Sequence, residues 1–191
     1  MSFDINTTYS NSLVSKIVEI LRKFQSDALQ GFVIGKVEVK KSKTFLLPQI
    51  VHRKIGETEM AIISSTLFDD VRLDVWLMSN TNQPTNAKSI NKNLANYHAK
   101  IAFNVANISE FQVLSQDNNY IHLNEKPVVQ GLLQLLFIEK YLGDGSLNAF
   151  SIKFQEKLWA DETLFLMEEG NKLLGLNEDS VQIFEFNPIL I

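Results

Sequence analysis

The sequence predicts an α+β fold: an antiparallel sheet of about five to seven strands, with an N-terminal amphipathic helix and a central buried helix packed on it. Three observations carry this. Apolar residues recur at helical spacing near the N-terminus, alternate at strand spacing over residues 32–78, and surround the segment Pro127–Leu142 on every side. The 191 residues are 45% hydrophobic and 21% charged, which fits a packed core in a single domain spanning 1–191.

Leu13, Val14, Ile17, Ile20, Leu21, Phe24 and Ala28 form one face of the first helix, with Ser10, Asn11 or Ser12 available as its cap. Gly31 follows as a stop signal. "FVIGKVEVK" then alternates, with Val33, Val37 and Val39 opposite Lys36, Glu38 and Lys40. "TFLLPQIVHRKI" is a second strand whose Pro48 places it at an edge or bulge. "GETE" reads as a turn, and "MAIISSTLF" and "VRLDVWLM" complete a meander, because no connection between them has helix length.

Residues Ser79–Asn93 form a polar loop. Over residues 87–108 the pattern fits either a helix or a helix followed by a strand; five asparagines from Asn91 to Asn107 favour a helix to His98 and a strand after it. "FQVLSQDNNYIHL" reads as a hairpin turning at Asp117–Asn118–Asn119. Asn124 and Pro127 open the central helix and Gly143 ends it. A helix over Asp161–Leu174 and a final strand "SVQIFEF" follow, and no internal repeat stands out.

Composition excludes several functions. There is no cysteine, so disulfides, thiolate nucleophiles and cysteine-ligated metals are absent. No signal peptide pattern opens the chain, and no apolar run reaches the roughly 20 residues of a membrane span, so the expected location is cytoplasmic. The net charge of −4 divides into +3 over residues 1–60, −1 over 61–140 and −6 over 141–191. An acidic total disfavours general nucleic-acid binding.

Candidate chemistry is sparse. "GFVIGKVEVKK" lacks the spacing, the hydroxyl residue and the strand-to-helix context of a phosphate loop, so Gly35 is expected at a bulge or close contact. His52, His98 and His122 have no spacing that joins two imidazoles on one metal. Asp69 and Asp70 fit a turn, and Asp74 is placed to pair with Arg72. No catalytic, cofactor-binding or metal-binding residues are assigned, and no cofactor is expected.

What remains is surface. Lys36, Lys40, Lys41 and Lys43 line a basic strand, and Trp76 and Met78 make the second face of their strand apolar, so that face is either covered by helices as part of the core or is a partner-binding patch. The tail Asn187–Ile191 either folds into the core or docks on a partner. The leading expectation is a non-enzymatic protein-interaction module: a subunit of a larger assembly, an adaptor, or an immunity- or chaperone-type binder. Its partner would be another protein or a second copy. The alternative is a small-ligand-binding protein or enzyme with a pocket between sheet and central helix. A weak nucleic-acid binder using the basic strands comes third.

Overall fold

The computed structural model describes residues 3–25, 29–79, 90, 94–143, 147 and 149–189. Two helices come first, α1 (Ile5–Ser10) and α2 (Leu13–Leu21), the latter extended by one 3₁₀ turn, Arg22–Phe24. Strands β1 (Phe32–Lys41), β2 (Gln49–Ile55), β3 (Thr58–Phe68) and β4 (Val71–Ser79) follow. A 3₁₀ turn at Leu94–Asn96 leads to β5 (Ala99–Ala102) and α3 (Val105–Ser115). A further 3₁₀ turn, Tyr120–His122, precedes α4 (Gly131–Leu142). The chain closes with β6 (Phe150–Phe154), β7 (Thr163–Glu169), β8 (Lys172–Leu176) and β9 (Gln182–Pro188).

Among the described residues these strands form one antiparallel sheet of nine, in the order β2-β3-β4-β1-β6-β9-β8-β7-β5. The order contains a repeat. A helix and four strands (α2, β1–β4) recur as α4 and β6–β9, and in each unit the first strand lies beside the fourth. The two first strands, β1 and β6, pair antiparallel and join the units. The turns repeat as well: Gly56 in the β2–β3 hairpin has φ 60° and Gly170 in the β7–β8 hairpin has φ 64°. Both are the first residue of a two-residue connection, where a positive φ suits glycine and matches the right-handed strand twist. The repeat is topological, so sequence periodicity does not reveal it.

Helix α4 is apolar on all faces because it is covered on all faces: every residue from Leu132 to Glu139 is buried. Its Phe137 packs edge-to-face against Phe103, with ring centres 6.1 Å apart. Helix α2 buries Leu13, Val14, Ile17, Val18 and Ile20. No helix among the described residues is long and apolar enough to cross a membrane.

The α+β class and both packed helices agree with the sequence-based expectation, but the strand count of five to seven does not. The shortfall has local causes. Asp161–Leu174 is not a helix: it holds β7 and the start of β8, whose two apolar faces removed the alternation. "FQVLSQDNNYIHL" is not a hairpin; α3 ends at Ser115, Gln116 turns left-handed at φ 55°, and a 3₁₀ turn follows. The expected order over 94–108 is also changed: a 3₁₀ turn, a short strand, and then a helix whose cap is Asn104. Helix α4 begins at Gly131, four residues after Pro127, because 127–129 is held as extended chain against 158–160. Most of the Ser79–Asn93 loop lies outside the described residues. In the Asn187–Ile191 tail, Asn187 and Pro188 extend β9 and the Ile189 N–H donates to the Ala149 carbonyl; the last two residues lie outside.

Candidate active site

The stretch Asp117–His122 is folded by its own side chains. The Asn119 N–H donates to Asp117 Oδ1 at 3.0 Å, closing an Asx turn. The Asn119 side chain spans to the other unit: Oδ1 accepts from the Gly31 N–H at 3.0 Å, and Nδ2 donates to the Phe32 carbonyl at 2.7 Å. Gly31, at φ 79°, leaves the room that Tyr120 occupies; a Cβ there would stand 2.6 Å from the tyrosine oxygen. The loop is thereby fixed to the start of β1.

This fixing aims His122. Its Nδ1 lies 2.6 Å from the Val128 carbonyl, which can only accept, so Nδ1 carries the hydrogen. Nε2 then holds the lone pair, 3.5 Å from Asp117 Oδ2. Val128 is itself positioned by bridge pairing with Trp159 and by its N–H donating to the Ile121 carbonyl. The imidazole is 9% exposed. Burial lowers its pKa from the ordinary 6.5, outweighing Asp117 and the Val128 bond, which both push it up. The result is a neutral base facing a carboxylate.

Both residues line a cavity of about 660 Å³ between the sheet and the helices. Its apolar wall includes Val18, Leu21 and Phe24 from α2 and the turn after it, Ile34 and Leu77 from the sheet, and Phe154 from β6. The start of α4 lines it too, through Gln130, Gly131 and Leu132. No side chain caps that helix and its first turn carries no acidic residue, so its N–H groups present partial positive charge. Gly131 leaves room for the Phe154 ring: a Cβ there would sit 3.1 Å from it, so the ring would have to shift by a few tenths of an ångström.

The equivalent end of α2 is filled. Ser12 accepts from the Ser15 N–H, and the buried Glu139 carboxylate accepts from Leu13 and Val14. Only the α4 end of the repeat therefore opens a helix N-terminus to the cavity. Among the described residues no group of three or more histidine and acidic side chains could hold a metal ion.

The comparisons come down to fold. No protein-family model and no curated protein matches the sequence. Among solved structures the chain is similar to HtdX from Mycobacterium tuberculosis, at TM-score 0.62 and 13% identity, covering 94% of this chain and 85% of that one. It is also similar to a MaoC-like dehydratase from Phytophthora capsici, at TM-score 0.51 and 11% identity, covering 87% and 74%. The shared architecture is a hotdog-like fold.

These findings correct the leading functional expectation. A non-enzymatic interaction or assembly module is overturned by an architecture shared with a dehydratase and by a cavity holding a buried base beside a carboxylate. The alternative, a pocket between sheet and central helix, describes what is found. His122, which no spacing in the sequence marks, is buried. No spacing rule flags the dyad, because Asp117 and His122 meet only through the Asx turn and the 3₁₀ turn. The one local signal was a polar cluster, Asp117–Asn119, beside a histidine and ahead of an apolar helix.

Lys36, Lys40, Lys41, Lys43 and Trp76 do not line the cavity. Lys36 Nζ stands 4.5 Å from the Trp76 ring centre and 3.3 Å from Glu38, and Lys40 pairs with Glu38 and Asp74. Lys41 and Lys43 are exposed. Asp74 pairs with Arg72 at 2.7 Å, and hydrogen bonds from Arg72 and Ser64 hold its carboxyl below the usual range against the opposing effect of burial. Gly35 is the bulge residue of β1, and Met78 lies against it and lines the cavity.

Proposed function

We propose that the chain is a hydro-lyase that adds water across the C2–C3 double bond of an apolar 2-enoyl thioester, or removes it from the 3-hydroxyacyl form. The observation that carries this reading is the placing of His122 Nε2 against Asp117 Oδ2, in an apolar cavity that also receives the open N-terminus of α4. The architecture shared with a MaoC-like dehydratase supports it as analogy.

Each part has a role. The acyl chain lies along the apolar wall, and its carbonyl oxygen meets the first N–H groups of α4, which stabilise negative charge as the enolate develops. Water sits beside the dyad, within hydrogen-bond reach of both His122 Nε2 and the Asp117 carboxylate. One water O–H breaks, its oxygen bonds to C3, and the C2–C3 double bond becomes single. The proton taken by the dyad is returned to C2, so the balance closes with no further reactant. A thioester carbonyl suits this chemistry because it acidifies the C2 proton.

The test is to mix the purified protein with a 2-enoyl thioester and follow loss of the conjugated absorbance together with formation of the 3-hydroxyacyl product. Both are expected. Release of free thiol with no hydration would assign the dyad to thioester hydrolysis and overturn the reading.

A further inference from the structure

Leu77 and Met78 are consecutive residues of β4, and consecutive strand residues point to opposite faces. Both nevertheless line the cavity. The cause lies in the paired strand. Val33 and Ile34 of β1 stand opposite Met78 and Leu77, and Lys36 stands opposite Trp76, which leaves Gly35 as an extra residue. Such a bulge re-aims the side chains around it. Gly35 also lacks the atom that would block the space: a Cβ there would lie 2.6 Å from Met78 Cε and 3.1 Å from its sulfur. The thioether rests in the gap.

The position along the sheet matters. Phe154 on β6 touches Gly131 at the start of α4, where the reaction is placed. From β6 the sheet runs through β1 to β4. Two strand spacings amount to about 10 Å. The cavity wall thus runs from Phe154, beside the start of α4, past Ile34 and Leu77 to Met78, a flexible, unbranched residue two strands away.

We propose that Met78, seated over Gly35, is a specificity-determining residue that sets the length of acyl chain the cavity accepts. This rests on the reading of the cavity as an acyl site. Shortening Met78 lengthens the apolar space, and replacing it with a ring shortens it.

The experiment compares the wild-type chain with Met78→Ala and Met78→Phe, each confirmed folded by circular dichroism. The kcat/KM is measured over crotonyl, hexenoyl, octenoyl and decenoyl thioesters. In parallel, saturated fatty acids of the same lengths displace an environment-sensitive fluorophore from the cavity, a readout that requires no chemistry. Met78→Ala is expected to move the preferred length upward, each added methylene that finds room gaining about fourfold. Met78→Phe is expected to move it downward. Unchanged length profiles in either folded variant overturn the proposal. If no thioester is hydrated but the fatty-acid profile shifts as expected, the hydro-lyase reading falls and the role of Met78 stands.

Discussion

The Glu139 carboxylate accepts a hydrogen bond from the Leu13 N–H at 2.7 Å, joining the last turns of α4 to the first turn of α2. The contact fills one helix N-terminus with the protein's own negative charge and leaves its counterpart open. It also holds α2, which supplies Val18 and Leu21 to the cavity wall, against α4, which supplies the start of the site. The repeat has one working end, and the other end is structural.

Replacing Glu139 by Gln keeps the side-chain shape and removes the charge from a buried, charge-assisted pair. Such bonds contribute about 1.5–3 kcal/mol. Glu139→Gln is expected to lose stability of about that size, read as a lower denaturant midpoint in chemical unfolding. An unchanged midpoint would show that the α2–α4 junction does not depend on the carboxylate.

The lowered pKa of His122 gives two consequences of known sign. The native imidazole stays neutral below pH 6.5, whereas the unfolded chain takes up a proton there. Stability is therefore complete above 6.5 and falls as the pH drops toward the native value. The acid limb of kcat/KM is likewise expected below 6.5, because the base remains available there. A pH–rate profile and a pH series of unfolding curves check both. An acid limb above 6.5 would contradict the burial argument.

Asn119 makes one hydrogen bond within the site loop, to Asp117, and two to the start of β1, to Gly31 and Phe32. The first uses its backbone and survives truncation; the other two use its side chain. Asn119→Ala is expected to cost about 1–3 kcal/mol, because the Gly31 N–H and the Phe32 carbonyl lose their partner. It is also expected to lower kcat more than it raises KM, since the bonds to Gly31 and Phe32 aim the dyad. Equal effects on both constants would argue for a general loss of fold.

What the sequence made legible follows from local rules. Leu13 to Phe24 announced α2 by period, Gly56 announced a hairpin by turn chemistry, and the all-round apolar surface of Leu132–Ile138 announced a buried helix. Gly170 turns a hairpin just as Gly56 does, yet the apolar residues around it, Leu164, Leu166, Leu173 and Leu174, alternate too weakly to read as strands. Strands buried on both faces lose the alternation that identifies them. The site was less legible still. His122 and Asp117 differ in no way from ordinary loop residues until α4, β1 and the 158–160 segment fix them, and the filled end of α2 depends on a contact across 126 residues. Gly35 was legible as a bulge glycine, but no local pattern showed that Met78 is the side chain it admits.

The central claim is that His122 and Asp117 perform the chemistry, and the most direct measurement is octenoyl thioester hydration by the wild-type chain, His122→Asn and Asp117→Asn at pH 7. Each variant is first shown to be folded by circular dichroism and to displace the cavity fluorophore with fatty acid as the wild type does. The account predicts hydration by the wild type and a loss in kcat of about two to four orders of magnitude in each variant, with fatty-acid binding retained. Wild-type hydration that survives both substitutions would place the reaction elsewhere and contradict the account.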